Sequence, residues 1–207
     1  GDWKTHYPCL WSPPPLSRSP TSAEMNSNSY DVIVAGVGAM GSAACWHLAQ
    51  RGLRVLGLER FDLGHTMGSS HGLTRIIRLA YFEGSKYVPI VQRAHELWQK
   101  TGDEAGLKLL HVTGSLDLAP AGSGEVEASL QSCLDHGLEH EQLDGQEIAR
   151  RFPGFSLPSG HIGLWQPGGG FVASEKAIFA HVGLSRAAPR SAPTSRCSTG
   201  RRPPMAG

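Results

Sequence analysis

Hydrophobic residues change their spacing twice after residue 29, and these changes predict a strand, a helix and a second strand. The run Val32–Ala35 is short, apolar and rich in β-branched side chains, as in a buried parallel strand. After a glycine turn, Met40, Ala44 and Leu48 recur at helical spacing. A second apolar run spans residues 54–59. This order predicts a βαβ unit of about 30 residues.

Two longer stripes of apolar residues predict further helices. The first is bounded by a proline and a glycine and comprises Pro89, Ile90, Val91, Ala94, Leu97, Trp98 and Gly102. The second comprises Val126, Leu130, Cys133 and Leu134. Between the two stripes, Leu116 and Leu118 alternate as in a strand.

The last patterned stretch ends near residue 184. Asp144 with Glu147 resembles a capping box and predicts a short helix. Residues 161–172 have the pattern of a strand, a turn around Gly168–Gly170 and another strand. Ser174 is suited to cap a helix that continues through His181.

Both ends of the chain lack such patterns. Residues 1–29 carry five prolines among serines and threonines, so we expect a disordered extension there. Residues 185–207 carry five arginines and four prolines and, apart from Met205, no aliphatic side chain larger than alanine. We therefore expect a disordered tail unrelated to the preceding fold, and we interpret it as the product of a frameshift or a misassigned gene end.

Charge and cysteine content exclude several classes of function. The chain has 19 basic and 18 acidic residues among 207, so neither nucleic acid nor an anionic membrane is an expected partner. Its four cysteines lie far apart without CxxC spacing, which predicts no metal site and favours a reduced, cytoplasmic setting. No run approaches the roughly 20 apolar residues that a membrane-spanning helix needs. We expect a water-soluble protein, with a monomer favoured.

The turn between the first strand and the first helix carries the first chemical signal. Gly36, Gly38 and Gly41 have the spacing GxGxxG, which allows a tight turn and close approach of the backbone to a pyrophosphate. Ala39 and Met40 open the helix that follows, and their free N–H groups can face phosphates. These features together predict a dinucleotide site.

An acidic residue, Glu59, follows the second strand. In this position its carboxylate would accept hydrogen bonds from ribose hydroxyls of the dinucleotide. Taken alone, Glu59 is equally consistent with a solvated strand end. The βαβ unit as a whole does not distinguish FAD from NAD.

The segment Gly68–Arg78, with the sequence GSSHGLTRIIR, distinguishes them. Together with Phe61-Asp62 and His65, it closely resembles the region after the second strand in the family of monomeric sarcosine oxidase and N-methyltryptophan oxidase. That family belongs to the glycine oxidase and D-amino-acid oxidase superfamily. The resemblance covers residues 30 to 184 and continues through Tyr87-Val88-Pro89, Glu96-Leu97-Trp98, Thr113-Gly114, Arg151-Phe152-Pro153-Gly154 and Gly169-Gly170.

The resemblance implies roles for four residues of this segment. His71 and Arg75 match family residues that lie against the flavin ring. Arg78 matches the arginine that binds the substrate carboxylate, and Thr74 matches a threonine near the same site. A planar guanidinium suits a carboxylate because it can donate two parallel hydrogen bonds. Without the resemblance, His71 is equally consistent with an exposed loop histidine, and Arg78 with a surface cation.

The resemblance also implies FAD as cofactor and an α/β fold in two parts. Residues 30–108, with a return helix at 173–184, would form a Rossmann-like FAD-binding domain, and residues 109–172 a mainly antiparallel β-sheet substrate domain. Both would be incomplete, because members of the family are considerably longer than this chain. The predicted cofactor-binding residues are Gly36, Gly38, Ala39, Met40, Gly41, Glu59, Arg60, Ser70, His71 and Arg75.

The implied reaction is oxidation of a secondary or N-methyl amino acid to an imine, with dioxygen reduced to hydrogen peroxide. Positive charge from His71 and Arg75 would stabilise the reduced, anionic flavin. Two alternatives stay open. An NAD(P)-dependent dehydrogenase is favoured by GxGxxG alone, but it gives no reason for the segment around His71. A noncatalytic dinucleotide-binding fragment is the second alternative.

Overall fold

The computed structural model describes residues 30–188 and the backbone of residues 196–198. The predicted extension at residues 1–29 and most of the predicted tail lie outside the described residues. None of the described helices is both long enough and apolar enough to cross a membrane.

The predicted βαβ unit is confirmed. Strand β1 (Val32–Ala35), helix α1 (Ala39–Gln50) and strand β2 (Val55–Leu58) follow one another, and the two strands pair in parallel. Both strands are short, apolar runs that hydrogen bond side by side while α1 covers them.

The other elements follow in chain order, with a 3-10 turn at Ser85–Tyr87 before the second helix. They are β3 (Arg75–Ile77), α2 (Val88–Ala105), β4 (Leu110–Val112), β5 (Ser115–Pro120), α3 (Glu125–His136), β6 (Glu141–Asp144), α4 (Gly145–Arg151), β7 (His161–Gln166), β8 (Gly170–Val172), α5 (Ser174–Ala187) and β9 (Arg196–Ser198).

The described strands form one parallel and two antiparallel sheets. Their strand orders are β1-β2-β9, β3-β8-β4 and β5-β7-β6. The predicted strand, turn and strand at residues 161–172 are confirmed as β7 and β8, which lie in different sheets and do not pair with each other. The chain crosses from one sheet to the other at Gly169 and Gly170. A Cβ added at Gly169 would lie 2.1 Å from Ser115 Oγ, and a Cβ added at Gly170 would lie 2.0 Å from the His111 carbonyl oxygen. Glycine is needed there for close approach of the backbones rather than for a hairpin turn.

Strand β3 lies within residues 30–108, but it joins an antiparallel sheet whose other strands, β4 and β8, lie within residues 109–172. It pairs with β8, with Arg75 opposite Val172 and Ile77 opposite Gly170. The segment that follows the glycine turn thus leaves the parallel sheet and enters an antiparallel one. This crossing places the two ends of the segment at two different sites.

Two hydrophobic clusters hold these layers together. The first, between the β3-β8-β4 sheet and helices α2 and α5, comprises Ile77, Leu109, Val172, Ala177 and Ala180. The second, between the β5-β7-β6 sheet and α3, comprises Ala80, Ala119, Val126, Cys133 and Leu164. Burial of these apolar surfaces stabilises the arrangement of sheets and helices.

Helix α1 is confirmed, but the side chains whose spacing predicted it are not its buried ones. Met40 is 87% exposed. The buried side chains of α1 are Ser42, Cys45, Trp46 and Ala49. Helix α1 packs on α5 as well as on β1 and β2, and the Ser42 hydroxyl lies 3.4 Å from His181 Nδ1 of α5. Which residues of a helix are buried depends on all the elements that pack against it, and hydrophobicity alone does not reveal them.

Helix α2 ends later than predicted, at Gly106 with φ of +65°. Gly102 lies inside the helix, where an added Cβ would be 2.6 Å from the Leu107 carbonyl oxygen. It allows the chain to fold back against the helix rather than ending it. The predicted cap of α4 is confirmed, since Asp144 Oδ1 accepts a hydrogen bond from the Glu147 N–H at 2.8 Å.

The region assigned to a disordered tail contains two ordered parts. Helix α5 continues to Ala187, and residues 196–198 pair in parallel with β2, with Arg196 opposite Leu56. Pairing of strands requires only backbone N–H and C=O groups, so a segment without large apolar side chains can supply them.

Candidate functional site

The turn between β1 and α1 is shaped by two of its glycines. Gly36 has φ of +89°, and its N–H donates to the Leu58 carbonyl oxygen at 2.7 Å. An added Cβ at Gly41 would lie 1.8 Å from the Gly36 carbonyl oxygen. Only glycine at these positions lets the helix start directly beside the strand end.

Gly38, unlike Gly36 and Gly41, is not needed for the shape of the turn. An added Cβ there would lie 3.6 Å from Ser70 Oγ, an ordinary contact distance, and φ is −77°. The fold of the described chain therefore does not require glycine at this position. The space above Gly38 fits close approach of a ligand to the backbone.

The start of α1 presents backbone donors. Gly38 is its N-cap and supplies no side-chain cap, while the N–H of Ala39 donates to Ser70 Oγ at 3.3 Å. Within residues 30–188 nothing accepts a hydrogen bond from the N–H groups of Met40 and Gly41. Such donors at a positive helix end suit phosphate oxygens.

Glu59 is buried, with 8% of its surface exposed. Its Oε2 accepts a hydrogen bond from the Val37 N–H at 2.7 Å, and its Oε1 accepts one from the Phe61 N–H at 3.2 Å. His65 Nε2 lies 3.4 Å from Oε1. Burial alone would raise the pKa of Glu59, but the N–H donors of Val37, Phe61 and Arg60 together with His65 lower it below its usual value.

The Glu59 carboxylate thus joins the glycine turn to the end of β2 as an anion. Each carboxylate oxygen can accept two hydrogen bonds, and Oε2 uses one of them on Val37. The carboxylate therefore has room for a hydroxyl donor, and ribose binding by Glu59 stays a prediction.

The Arg75 side chain hydrogen bonds to backbone carbonyls of the loop that precedes it. Its guanidinium donates to the carbonyl oxygens of Thr74 at 2.7 Å and Ser69 at 2.5 Å, and also to that of His71. The imidazole Nδ1 of His71 donates to the Gly68 carbonyl oxygen at 2.8 Å. Since a carbonyl only accepts, Nδ1 carries the proton and Nε2 is left for a ligand.

Helix α5 anchors this loop from below. The hydroxyl of Ser174 donates to the Gly72 carbonyl oxygen at 2.6 Å, and the Gly72 N–H donates to Glu175 Oε1 at 2.8 Å. Gly72 has φ of +105°, which favours glycine. The prediction of Ser174 as a helix cap is therefore wrong: the N-cap is Ala173, and the Ser174 hydroxyl is committed to the loop.

Thr74 and Arg78 lie at a second place. They line a cavity of about 690 Å³ between the two antiparallel sheets, whose other walls include Phe82, Phe155 and Phe171. Alternate residues of a strand point to the same face, so Thr74 and Arg78 share this wall while Arg75 lies on the other side. The cavity combines aromatic surface with a cation.

Arg78 has an acidic partner that the sequence did not reveal. Its Nη1 donates to Asp117 Oδ1 at 3.0 Å, and its guanidinium carbon lies 5.2 Å from the centre of the Tyr81 ring. Asp117 Oδ2 accepts a hydrogen bond from Gln166 Nε2 at 3.1 Å. No local pattern predicts this contact, because Arg78 and Asp117 lie 39 positions apart.

The structure therefore separates the predicted residues into groups. The first group surrounds the start of α1 and comprises Gly36, Gly38, Ala39, Met40, Gly41, Glu59 and Ser70. The second group lies in the next loop and comprises His71 and Arg75. The third group lines the cavity and comprises Thr74 and Arg78. The backbone N–H of Arg60 contacts Glu59 of the first group, while its guanidinium carbon lies over the Phe61 ring at 5.3 Å from the ring centre.

Residues 31–188 match the profile of a protein family described as FAD dependent oxidoreductase. Over 159 residues the chain is 42% identical to monomeric sarcosine oxidase of Streptomyces avermitilis, and over 149 residues it is 39% identical to N-methyl-L-tryptophan oxidase of Yersinia pestis. These alignments cover 77% and 72% of this chain, but 41% and 40% of the two relatives. The chain thus spans about two fifths of the length of these relatives.

Solved structures share the fold. A mutant of NikD, an unusual amino acid oxidase essential for nikkomycin biosynthesis, superimposes in its open form with a TM-score of 0.69 and 31% identity. That match covers 81% of this chain and 43% of the other. L-Proline dehydrogenase from P. horikoshii superimposes with a TM-score of 0.64 at 22% identity, over 78% of this chain and 43% of the other, and shares the fold.

Proposed function

The chain belongs to the family of FAD dependent oxidoreductases, and on that premise we propose that it binds FAD and takes part in oxidising a secondary or N-methyl amino acid. Membership of this family sets aside the NAD(P)-dependent dehydrogenase, which GxGxxG alone left open. The names of the sarcosine and N-methyl-L-tryptophan oxidases support an amine substrate. Dioxygen as the electron acceptor, hydrogen peroxide as its product and a monomeric, cytoplasmic protein are parts of the proposal.

One observation carries the proposal: a single segment connects the dinucleotide-binding turn to the aromatic cavity. At one end, Ser70 Oγ contacts the first N–H of α1 at 3.3 Å. At the other end, Arg78 lines the cavity. A cofactor bound at the start of α1 could therefore extend along this segment toward a substrate held by Arg78.

The residues at the turn fit FAD by their chemistry. Gly38 leaves space beside the backbone, the unpaired N–H groups of Met40 and Gly41 suit phosphate oxygens, and Glu59 retains acceptor capacity for a ribose hydroxyl. Bound FAD would supply the acceptor for a hydride equivalent from the carbon next to the amine nitrogen, and dioxygen would reoxidise it to give hydrogen peroxide.

The remaining residues would position the substrate and stabilise negative charge that develops during the reaction. Arg78 would bind the substrate carboxylate through its unpaired donors, and Thr74 on the same wall would offer a hydroxyl hydrogen bond. The Arg75 cation and the His71 ring, held together by the loop carbonyls, would place positive charge where negative charge develops.

The substitution Gly38→Ala tests the FAD site. Because the new methyl group meets only an ordinary contact in the chain, unfolding by urea should be unchanged. The methyl group would block close approach of the pyrophosphate. Loss of one charge-assisted hydrogen bond, about 1.5–3 kcal/mol, should weaken FAD binding about 10- to 100-fold. FAD fluorescence quenching on titration of the purified chain measures the affinity.

Gly154→Ala is the matched control, since a Cβ at this exposed loop position meets nothing within 4 Å. It should leave both FAD affinity and stability unchanged. Equal FAD affinity of the Gly38→Ala variant and the unmodified chain would contradict the placement of FAD at this turn. The noncatalytic alternative would be favoured if the chain binds FAD but forms no hydrogen peroxide from N-methylglycine or other secondary amines.

A further inference from the structure

We propose that Asp117 and Gln166 are positioning residues that hold the Arg78 guanidinium in the orientation needed to bind a carboxylate. The inference rests on the proposed function, because that function assigns the substrate carboxylate to Arg78. Neither residue belongs to the motifs that identified the segment.

A relay of three hydrogen bonds leads from the backbone to Arg78. The buried N–H of Ala80 donates to Gln166 Oε1 at 2.8 Å. Gln166 Nε2 then donates to Asp117 Oδ2 at 3.1 Å, and Arg78 Nη1 donates to Asp117 Oδ1 at 3.0 Å. Gln166 is 1% exposed, so the relay is built into the core rather than into a mobile surface.

Because both neighbours donate hydrogen bonds to residue 117, its side chain must have two acceptors and no donor. Asp117 accepts from Gln166 on one oxygen and from Arg78 on the other. An asparagine would present an NH₂ group to one of these two donors. Reversing the Gln166 amide to avoid that clash would turn its NH₂ toward the Ala80 N–H, which would lose its acceptor.

Asp117 accepts a hydrogen bond from only one of the guanidinium nitrogens, Nη1. Among the residues that the structure describes, nothing accepts a hydrogen bond from Nε or Nη2 of Arg78. The Tyr81 ring, 5.2 Å from the guanidinium carbon, limits movement on one face. One edge of the fork is therefore held by Asp117, and donors for a carboxylate are left in a fixed direction.

The negative charge of Asp117 has an opposing effect that makes the inference testable. A carboxylate ligand at Arg78 would be repelled by Asp117, so removing that charge should tighten binding if charge alone mattered. If orientation matters more, removing it should weaken binding. The two explanations predict opposite signs for the same substitution.

Asp117→Asn and Glu125→Gln form a matched pair for this test. Both residues line the cavity and both substitutions remove one negative charge, but only Asp117 contacts Arg78. Binding of acetate, a carboxylate without an amine to oxidise, to the FAD-loaded full chain can be followed by NMR titration. We expect affinity about tenfold lower for Asp117→Asn, the effect of one hydrogen bond to a charged group, and little change for Glu125→Gln. Equal or tighter binding by Asp117→Asn would overturn the inference.

A second measurement needs no variant. The Nη signals of Arg78 in the unmodified chain should show slow rotation about the Nε–Cζ bond, unlike those of an exposed arginine such as Arg51, whose side chain has no hydrogen bond or ion pair to the described residues. Free rotation of Arg78 would overturn the inference even if Asp117→Asn failed to fold. If the unmodified chain binds no acetate and forms no hydrogen peroxide from N-methylglycine, the proposed function fails, and the rotation rate alone decides whether Asp117 holds Arg78.

Discussion

The contact between α5 and α1, the helix that follows the glycine turn, contains a buried histidine. His181 on α5 is 3% exposed, and its Nδ1 lies 3.4 Å from Ser42 Oγ on α1. Burial, and to a smaller extent the nearby His47, lowers the pKa of His181 from 6.5 to about 4. We predict that the stability of the chain depends on His181 being neutral.

The sign of this effect follows from linkage. A lowered pKa means that the folded chain favours the neutral ring, while the unfolded chain protonates near 6.5. The stability contributed by neutral His181 is thus fully present above pH 6.5 and is lost as the pH falls toward about 4. At about 1.4 kcal/mol per pH unit, this window corresponds to a loss of about 3 kcal/mol in the free energy of unfolding.

Urea unfolding followed by tryptophan fluorescence between pH 7 and pH 4 measures this loss. The variant His181→Leu should lack it, and Ser42 keeps a partner there because its hydroxyl also lies 3.2 Å from the Ala39 carbonyl oxygen. His47→Gln serves as a control that removes a neighbouring histidine but keeps the buried ring. Parallel stability profiles of the unmodified chain and His181→Leu, or an NMR titration of His181 near pH 6.5, would refute the reasoning.

Two further substitutions test the packing described above. Glu59→Gln should lower the free energy of unfolding by about 1–3 kcal/mol, because the amide NH₂ would face one of the N–H donors that the carboxylate now accepts, including that of Val37; unchanged urea unfolding would speak against it. Gly102→Ala should destabilise the chain by about 1–3 kcal/mol, since the new Cβ would lie 2.6 Å from the Leu107 carbonyl oxygen. Gly183→Ala in α5, with nothing within 4 Å, should be neutral or stabilising, and equal thermal unfolding temperatures of these two variants would contradict the prediction.

Features with short sequence separation were predictable. The βαβ unit was predicted from apolar runs on either side of GxGxxG, and the cap of α4 from Asp144 and Glu147. The family was predicted from the segment around His71, and the match over residues 31–188 confirms it. In each case the determining residues lie close together in the chain, where local geometry and motif spacing act directly.

Contacts between distant segments were not predictable. Helix α1 was predicted from Met40, Ala44 and Leu48, but its buried side chains are Ser42, Cys45, Trp46 and Ala49. The strands within residues 161–172 were predicted, but not that β7 and β8 pair with strands of different sheets. Ser174 was predicted as a cap, but its hydroxyl bonds Gly72, 102 positions away.

The sequence by itself therefore determined the family, the FAD cofactor and the glycine turn between β1 and α1, because each depends on residues within one continuous segment. Only the tertiary structure decided which groups hold that segment and its cations. Glu175 anchors Gly72 from a separation of 103 positions, and Asp117 pairs with Arg78 from a separation of 39. Such contacts depend on how sheets and helices pack together, and the spacing of residues along a single element does not encode that packing.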